Sequence, residues 1–380
     1  MSKTTKTILW IIVAIIVIGL IWYAVTKKPE TVTKEEETIK IGAILPISGS
    51  GAFMGQQIRD GILLAKEHVN NNGGIKGRSL ELLLEDSKAD AKEAVTAFSN
   101  LLMLHKPKTI ITAFTAPTIA LIPLAEENKM PLITTNTSAP GIAEQGEYIF
   151  KVFTDSNVDA PVVANYVMDH TSLRKFGVLY ENDDYGKSYY ESFKKIIEAK
   201  NGQIVGVETF ASTDGDFKTQ LLKLNSLKVD GIYVIGLDSH YIKIFQQAKE
   251  LGLKQILMGN WILASPNVIQ KMGDTLEGAY FTTPIYYVTI PGDKNELFNR
   301  EYQQTFNKAP DAYAALGYDI LMLVAEAIKI GGFEPEQIKD SLFDVHYDGL
   351  LGSLSFNEVG EINFPLYPAT LENGKLKALE

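Results

Sequence analysis

An α/β fold with parallel sheets flanked by helices, preceded by an N-terminal transmembrane helix, is the class this sequence predicts. Short apolar runs alternate with segments whose apolar residues recur at helical spacing, the pattern of strands joined by crossover helices. The stretch from Ile41 to Asp86 reads as strand, loop, helix and strand, one complete βαβ unit. Within a chain of 380 residues, the part beyond the first helix is too long for one core, so two sheets are expected.

The first element lies between Lys6 and Lys27, where twenty residues carry no charge. At about 1.5 Å per residue they make roughly 30 Å of helix, enough to span a bilayer. Trp10 near one end and Trp22 and Tyr23 near the other stand where interfacial aromatic belts form. A cleaved signal peptide is the competing reading, but Ala24 and Thr26 beside bulky Trp22 and Tyr23 make a poor cleavage site, so residues 1–27 read as an uncleaved anchor. Lys3 and Lys6 on one side balance Lys27 and Lys28 on the other, so charge does not orient the helix. The acidic run Glu35 to Glu37 and the large domain behind it point to export of the C-terminal side. Residues 28–37, polar with one proline, read as a linker.

In the βαβ unit, an apolar strand from Ile41 closes at Pro46, as expected of a strand buried on both faces. After the loop Ser48 to Gly55, Ile58, Ile62, Ala65 and Val69 form one stripe on a helix. Asn70 to Gly74 end it with residues that tolerate a left-handed backbone. Leu80 to Asp86 is the second strand. Asp90 then opens a helix to Asn100 with Glu93 at capping-box spacing, and Thr109 to Phe114 is the next strand. Helices follow over 117–128, 161–170, 185–200, 216–227 and 239–251, and strands over 131–134, 176–180, 203–210, 230–235 and 255–258.

Composition narrows the function. A formal charge of −10 argues against nucleic acid, whose binders are usually basic. The absence of cysteine excludes disulfides, thiolate metal sites and a lipidated cysteine as anchor. The five histidines show no ligand spacing, so no metal site is expected. No Gly-x-Ser-x-Gly, His-Glu-x-x-His or Walker pattern occurs, and the glycines from Gly49 to Gly55 are spaced one residue too far for a dinucleotide loop, so neither an enzyme nor a cofactor is expected.

Ligands of open α/β sheets sit beyond the carboxyl ends of the strands. The run Phe114-Thr-Ala-Pro-Thr118 suits a carboxylate there: a helix N-terminus offers unpaired N–H groups, at Thr115 and Ala116, and Thr115 adds a hydroxyl. Thr115 and Thr118 read equally well as plain helix caps. The next strand end, Thr134 to Pro140, adds hydroxyls and carbonyls. Asn136-Thr-Ser138 is also a formal glycosylation sequon, which a cleft-lining loop would serve poorly.

Pro46 to Gly55, followed by Asn72-Gly-Gly-Ile-Lys-Gly77 and Glu85-Asp86, resembles the type I periplasmic binding proteins, and among them the branched-chain amino acid (Leu/Ile/Val) receptors of ABC transporters. The resemblance covers nearly all of the chain after residue 38. It implies two Rossmann-like lobes and three interlobe crossovers near Asp155, Pro284 and Pro365. Lobe I would be 38–155 and 284–364, and lobe II 156–283 and 365–380.

The resemblance also implies a binding site. Asn136 would give a backbone carbonyl to the ligand's ammonium and Ser138 a hydroxyl to its carboxylate. Tyr185 stands where an aromatic closes over the ligand, although Glu181 to Gly186, read alone, is an acidic turn. Phe53, Met54, Phe114 and Tyr313 would form apolar walls, or equally ordinary core. Trp261 departs from the pattern, because similar receptors usually have an acid there for the ammonium. Asp238 could supply that charge, Trp261 could hold a cation over its ring, or the ligand could lack an ammonium.

The function implied is capture of a small carboxylate ligand, an amino acid first, by closure of the lobes and delivery to an ABC transporter permease. A non-amino-acid ligand such as an amide or aromatic acid is the alternative. A membrane-tethered sensor is the other, disfavoured because few residues precede the anchor and no signalling domain follows.

Overall fold

The computed structural model describes residues 3–26, 38–49, 51–288 and 293–379; the linker 28–37 and Ser50 lie outside them. Two compact units result, residues 1–37 and 38–380. In the first, Lys3–Thr26 is one helix. Its side chains from Ile8 to Tyr23 are exposed wherever described, with Trp10 73% and Leu20 61% accessible. A helix apolar all round has no solvated face, and this one is long and apolar enough to cross a bilayer.

The second unit holds two sheets. The first contains β1 (Ile39–Leu45), β2 (Leu80–Asp86), β3 (Thr109–Ala113), β4 (Leu132–Thr135) and β5 (Ile149–Val152). The second contains β6 (Lys175–Glu181), β7 (Gln203–Phe210), β8 (Gly231–Ile235), β9 (Ile256–Met258) and β10 (Tyr280–Pro284). A short hairpin of β11 (Tyr347–Gly349) and β12 (Gly352–Leu354) follows, then β13 (Glu361–Ile362), β14 (Leu366–Glu372) and β15 (Lys375–Ala378). The first sheet runs β13-β5-β4-β3-β1-β2, and the second β15-β14-β10-β9-β8-β6-β7.

Pairing is parallel throughout the first sheet and from β10 to β7 in the second, while β14 and β15 close that sheet antiparallel. The central strands β3 and β8 are buried at every residue, which fits their largely apolar sequences. The chain leaves the first sheet after β5, returns after β10 and leaves again between β13 and β14. Helices connect the parallel strands, as the alternation in sequence requires.

Two differences from the expected elements have local causes. The helix expected from Pro161 starts at Ser156, because the Asp155 carbonyl already accepts from the Val158 and Asp159 N–H groups. Pro161 then lies inside the helix, where it removes one hydrogen bond and crowds the carbonyl four residues before it. The helix expected from Pro117 starts at Thr115, which leaves Pro117 in the first turn, where a missing N–H is harmless.

Helices Ala52–Asn71 and Ala312–Gly331 pack face to face, and glycines set their separation. A Cβ on Gly61 would lie 1.9 Å from the Ala314 carbonyl oxygen, and one on Gly317 2.1 Å from that of Ile58. Where the chain first changes sheet, Lys151 on β5 is fully buried and pairs with Glu361 on β13 at 2.8 Å and with Asp155. The Asp155 N–H donates to Asn363 Oδ1 (2.9 Å), and the Thr154 hydroxyl to the Phe364 carbonyl (2.6 Å). Two crossing segments are thus laced together.

Candidate functional site

The strand ends of both sheets meet at one cavity of about 600 Å3. Gly49, Thr115, Ala116, Asn136 and Ser138 line it from the first sheet, and Glu181, Tyr185, Leu237, Asn260 and Trp261 from the second. This is the carboxyl-end crevice where ligands of parallel α/β sheets bind.

Backbone geometry presents the first wall. Phe114, directly after β3, has φ +75° and ψ 148°, a conformation nearly reserved for glycine, at a cost on the order of 1–3 kcal/mol. That turn swings Thr115 into the first helical position, where N–H groups have no intrahelical acceptor. The Phe114 ring sits under Gly51, whose added Cβ would lie 2.3 Å from it, so the glycine lets the loop after β1 close over the ring. Asp86 secures that loop by accepting from the Ser48 hydroxyl (2.5 Å) and the Ile47 N–H (3.0 Å). Burial works against the Asp86 charge, yet these bonds and the Lys88 N–H hold its pKa below the usual carboxylate value.

The hydroxyls on this wall fall into two groups. Thr118, Thr134 and Thr137 bond one another at 2.6 to 3.1 Å, a closed structural cluster. Thr115 and Ser138 are buried at 2% and 1% exposure, and neither hydroxyl has a protein partner. Phe114, the capping residue, supplies no side-chain cap. A buried hydroxyl left unpaired costs about 1–3 kcal/mol, which a ligand oxygen at this position would recover. Asn136, at φ +52°, lines the cavity and turns its amide onto Met54 Sδ (3.5 Å).

The opposite wall is held by a polar chain. The Tyr185 hydroxyl donates to the Gly236 carbonyl (3.2 Å) and accepts from Asn260 Nδ2 (2.8 Å). Asn260 Oδ1 accepts from the Tyr241 hydroxyl (3.1 Å), so the ends of β6, β8 and β9 are tied together. Gly186 is required beside Tyr185, because a Cβ would lie 2.0 Å from the Glu181 carbonyl oxygen. Burial pushes the Tyr185 phenol well above its ordinary value. Trp261, 2% exposed, packs on Tyr313 (ring centroids 4.8 Å apart) and Phe153 (5.3 Å).

Of the residues expected from sequence, Phe114, Thr115, Ala116, Asn136, Ser138, Tyr185 and Trp261 line the cavity. Phe53, Met54, Asp238 and Tyr313 do not. Met54 and Tyr313 are buried behind the wall, and Phe53 is half-buried against the core. Asp238 is buried at the start of the helix Asp238–Glu250, with its pKa raised by burial.

Among the lining residues not singled out from sequence are Asn260, His240, Phe153, Lys243 and the segment Ser212 to Asp214, while Glu181 and Asp183 belong to the run expected on the second-lobe side of the site, which read alone is an acidic turn. Asp183 caps the helix Asp184–Ala199 through the Gly186 N–H (2.8 Å). Burial, and then the neighbouring Glu181 charge, push its pKa up to about 7. The visible signal was position: Glu181 ends β6, and Asn260 stands just beyond β9 after Gly259.

Comparison with known proteins gives the family and the fold. Residues 38–375 match the periplasmic binding protein family. The chain is 26% identical over 329 residues to the leucine-, isoleucine-, valine-, threonine-, and alanine-binding protein of Pseudomonas aeruginosa, covering 86% of this chain and 87% of that one. It superposes with TM-score 0.82 and 29% identity on the branched-chain amino acid transporter substrate binding protein of Streptococcus pneumoniae in complex with isoleucine, over 90% of this chain and 98% of that one. A solute binding protein of R. palustris in complex with benzoate shares the fold at TM-score 0.83 and 21% identity, over 90% and 96%. From Thr38 to Lys375 the chain therefore belongs to the periplasmic binding protein family, whose members work outside the cytoplasm as solute-binding proteins and not as enzymes.

Proposed function

We propose that this protein captures a small carboxylate ligand, a branched-chain or related amino acid first, and delivers it to the permease of an ABC importer. The observation that carries the reading is the pair of buried, partnerless hydroxyls of Thr115 and Ser138, beside the N-terminus of a 13-residue helix. A carboxylate there gains charge-assisted hydrogen bonds from N–H groups aligned with the helix dipole. The relatives that bind branched-chain amino acids support the ligand class.

The working unit is a pair of lobes, 38–155 with 284–364 and 156–283 with 365–380. Ligand bound to lobe I stabilises closure by its additional contacts with lobe II, chiefly Tyr185 and Trp261, and shifts the population accordingly. The aromatic wall of Phe114, Phe153 and Trp261 favours, as a second reading, an aromatic carboxylate in place of an amino acid.

Thr115→Val tests the carboxylate site, because it removes the hydroxyl and keeps the shape. Calorimetry on a carboxylate that binds the wild type is expected to show affinity weakened by about 1–3 kcal/mol. Unchanged affinity would remove Thr115 from the site.

The helix Lys3–Thr26 is proposed to remain as a single-pass anchor, with the binding domain on the extracytoplasmic side. Full-length protein is then extracted from membranes by detergent and retained through a salt wash; release by salt alone would contradict the anchor.

A further inference from the structure

We propose that Glu181 is the group that receives the ligand's ammonium, taking over the role of the acid replaced by Trp261; the inference rests on the amino acid reading above and deepens it. Glu181 ends β6 on the cavity wall, is 5% exposed, and its Oε2 has no hydrogen-bond partner. A buried carboxylate without a partner is costly, and such groups are normally paired.

Its nearest basic neighbour does not supply that partner. His240 Nδ1 lies 3.4 Å from Glu181 Oε2 but accepts the Leu237 N–H at 3.2 Å, so it carries no proton. The ring proton therefore sits on Nε2, which donates to the Ser212 carbonyl at 2.9 Å. His240 thus has both ring nitrogens engaged by backbone groups, and no hydrogen bond joins it to Glu181 Oε2. Lys243 and Lys88 also line the cavity, but no ion pair joins either to Glu181 among the described residues. Asp183 shares the wall, with its one bonded carboxylate oxygen committed to the Gly186 N–H.

The other candidates are placed less well. Asp238 is off the cavity wall, and the Trp261 ring is packed between Tyr313 and Phe153. Glu181 on one wall, facing Thr115 and Ser138 on the other, fits a zwitterion whose two charges are read by opposite sides of the cavity. Because the ammonium and the carboxylate engage different sheets, a zwitterionic ligand would bridge them.

The test is calorimetry on the full-length protein in detergent with L-isoleucine and its des-amino counterpart, 3-methylpentanoate. Wild type is expected to prefer L-isoleucine by about 30-fold or more, the effect of leaving one member of a buried charge pair alone. In Glu181→Gln that preference falls to about threefold or less while 3-methylpentanoate binding is kept, and Glu181→Asp restores part of it. A preference that survives in Glu181→Gln, or a wild type that binds 3-methylpentanoate as well as L-isoleucine, overturns the assignment and leaves the carboxylate reading standing. If the wild type binds neither probe nor benzoate, the carboxylate reading fails and this inference with it. Should Glu181→Gln not fold, as judged by its melting transition, Glu181→Asp decides: an undiminished preference with the shortened carboxylate overturns the assignment, and a reduced one supports it.

Discussion

Lys151→Met is expected to destabilise the domain by about 3–5 kcal/mol, the range for removing one partner of a buried ion pair. Lys151 is wholly buried, and its ammonium is shared by Asp155 and Glu361, both largely buried. Burial already pushes the Asp155 carboxyl up to about 6 even with Lys151 beside it. Without the ammonium, two carboxylates face each other where the segments after β5 and β13 cross. A urea titration should show the loss as a lower midpoint. The triple variant Lys151→Met, Asp155→Asn, Glu361→Gln should recover much of it, because replacing a whole buried charge cluster is far milder than breaking it. A wild-type midpoint for the single variant would mean the ammonium balances nothing.

Gly61→Val is expected to cost about 3 kcal/mol or more, at the upper end of overpacking effects. The added carbon would meet backbone, the Ala314 carbonyl at 1.9 Å, and a helix backbone cannot rotate aside as a side chain can. The two helices must then separate, and both carry structure toward the cavity. Ala52–Asn71 follows the loop that closes over Phe114, and Ala312–Gly331 starts at the Tyr313 that packs on Trp261. Gly61→Val should therefore lower both the melting temperature and the affinity for ligand. Gly73→Ala, whose Cβ would meet nothing but sits at φ +90°, should cost only the left-handed strain of about 1 kcal/mol.

The alternation of strands and helices was legible wherever one face was buried and the other wet. The helix near 185–200 shows this, with Tyr189, Phe193 and Ile197 forming its inner stripe. The fully buried strands β3 and β8 were legible instead from their short, largely apolar runs, and two elements with neither signal were missed. β5 is four residues long and carries a lysine in its middle, and only the distant Glu361, together with Asp155 four residues on, makes that lysine a core residue. Ala312–Gly331 is apolar nearly all round because other elements cover both sides, so no stripe marks it.

The candidate site was legible on the first-sheet side, where Thr115 and Ser138 adjoin strand ends and proline or glycine marks the turn. On the other side, Glu181 and Asp238 look alike in sequence, each acidic and each at or just after a strand. The placement of β6 beside β8 brings Glu181 onto the cavity wall next to His240, and that pairing is a long-range fact no local pattern encodes.

The proposed function rests on a carboxylate gripped by hydroxyls and N–H groups at the cavity. A thermal-shift titration of the full-length protein with branched-chain amino acids and aromatic acids, each beside its own carboxamide, tests this most directly, since a ligand selective for the folded state raises the melting temperature. At least one free acid should raise the transition while its carboxamide does not. Equal shifts for an acid and its carboxamide, or no shift from any acid, would contradict it.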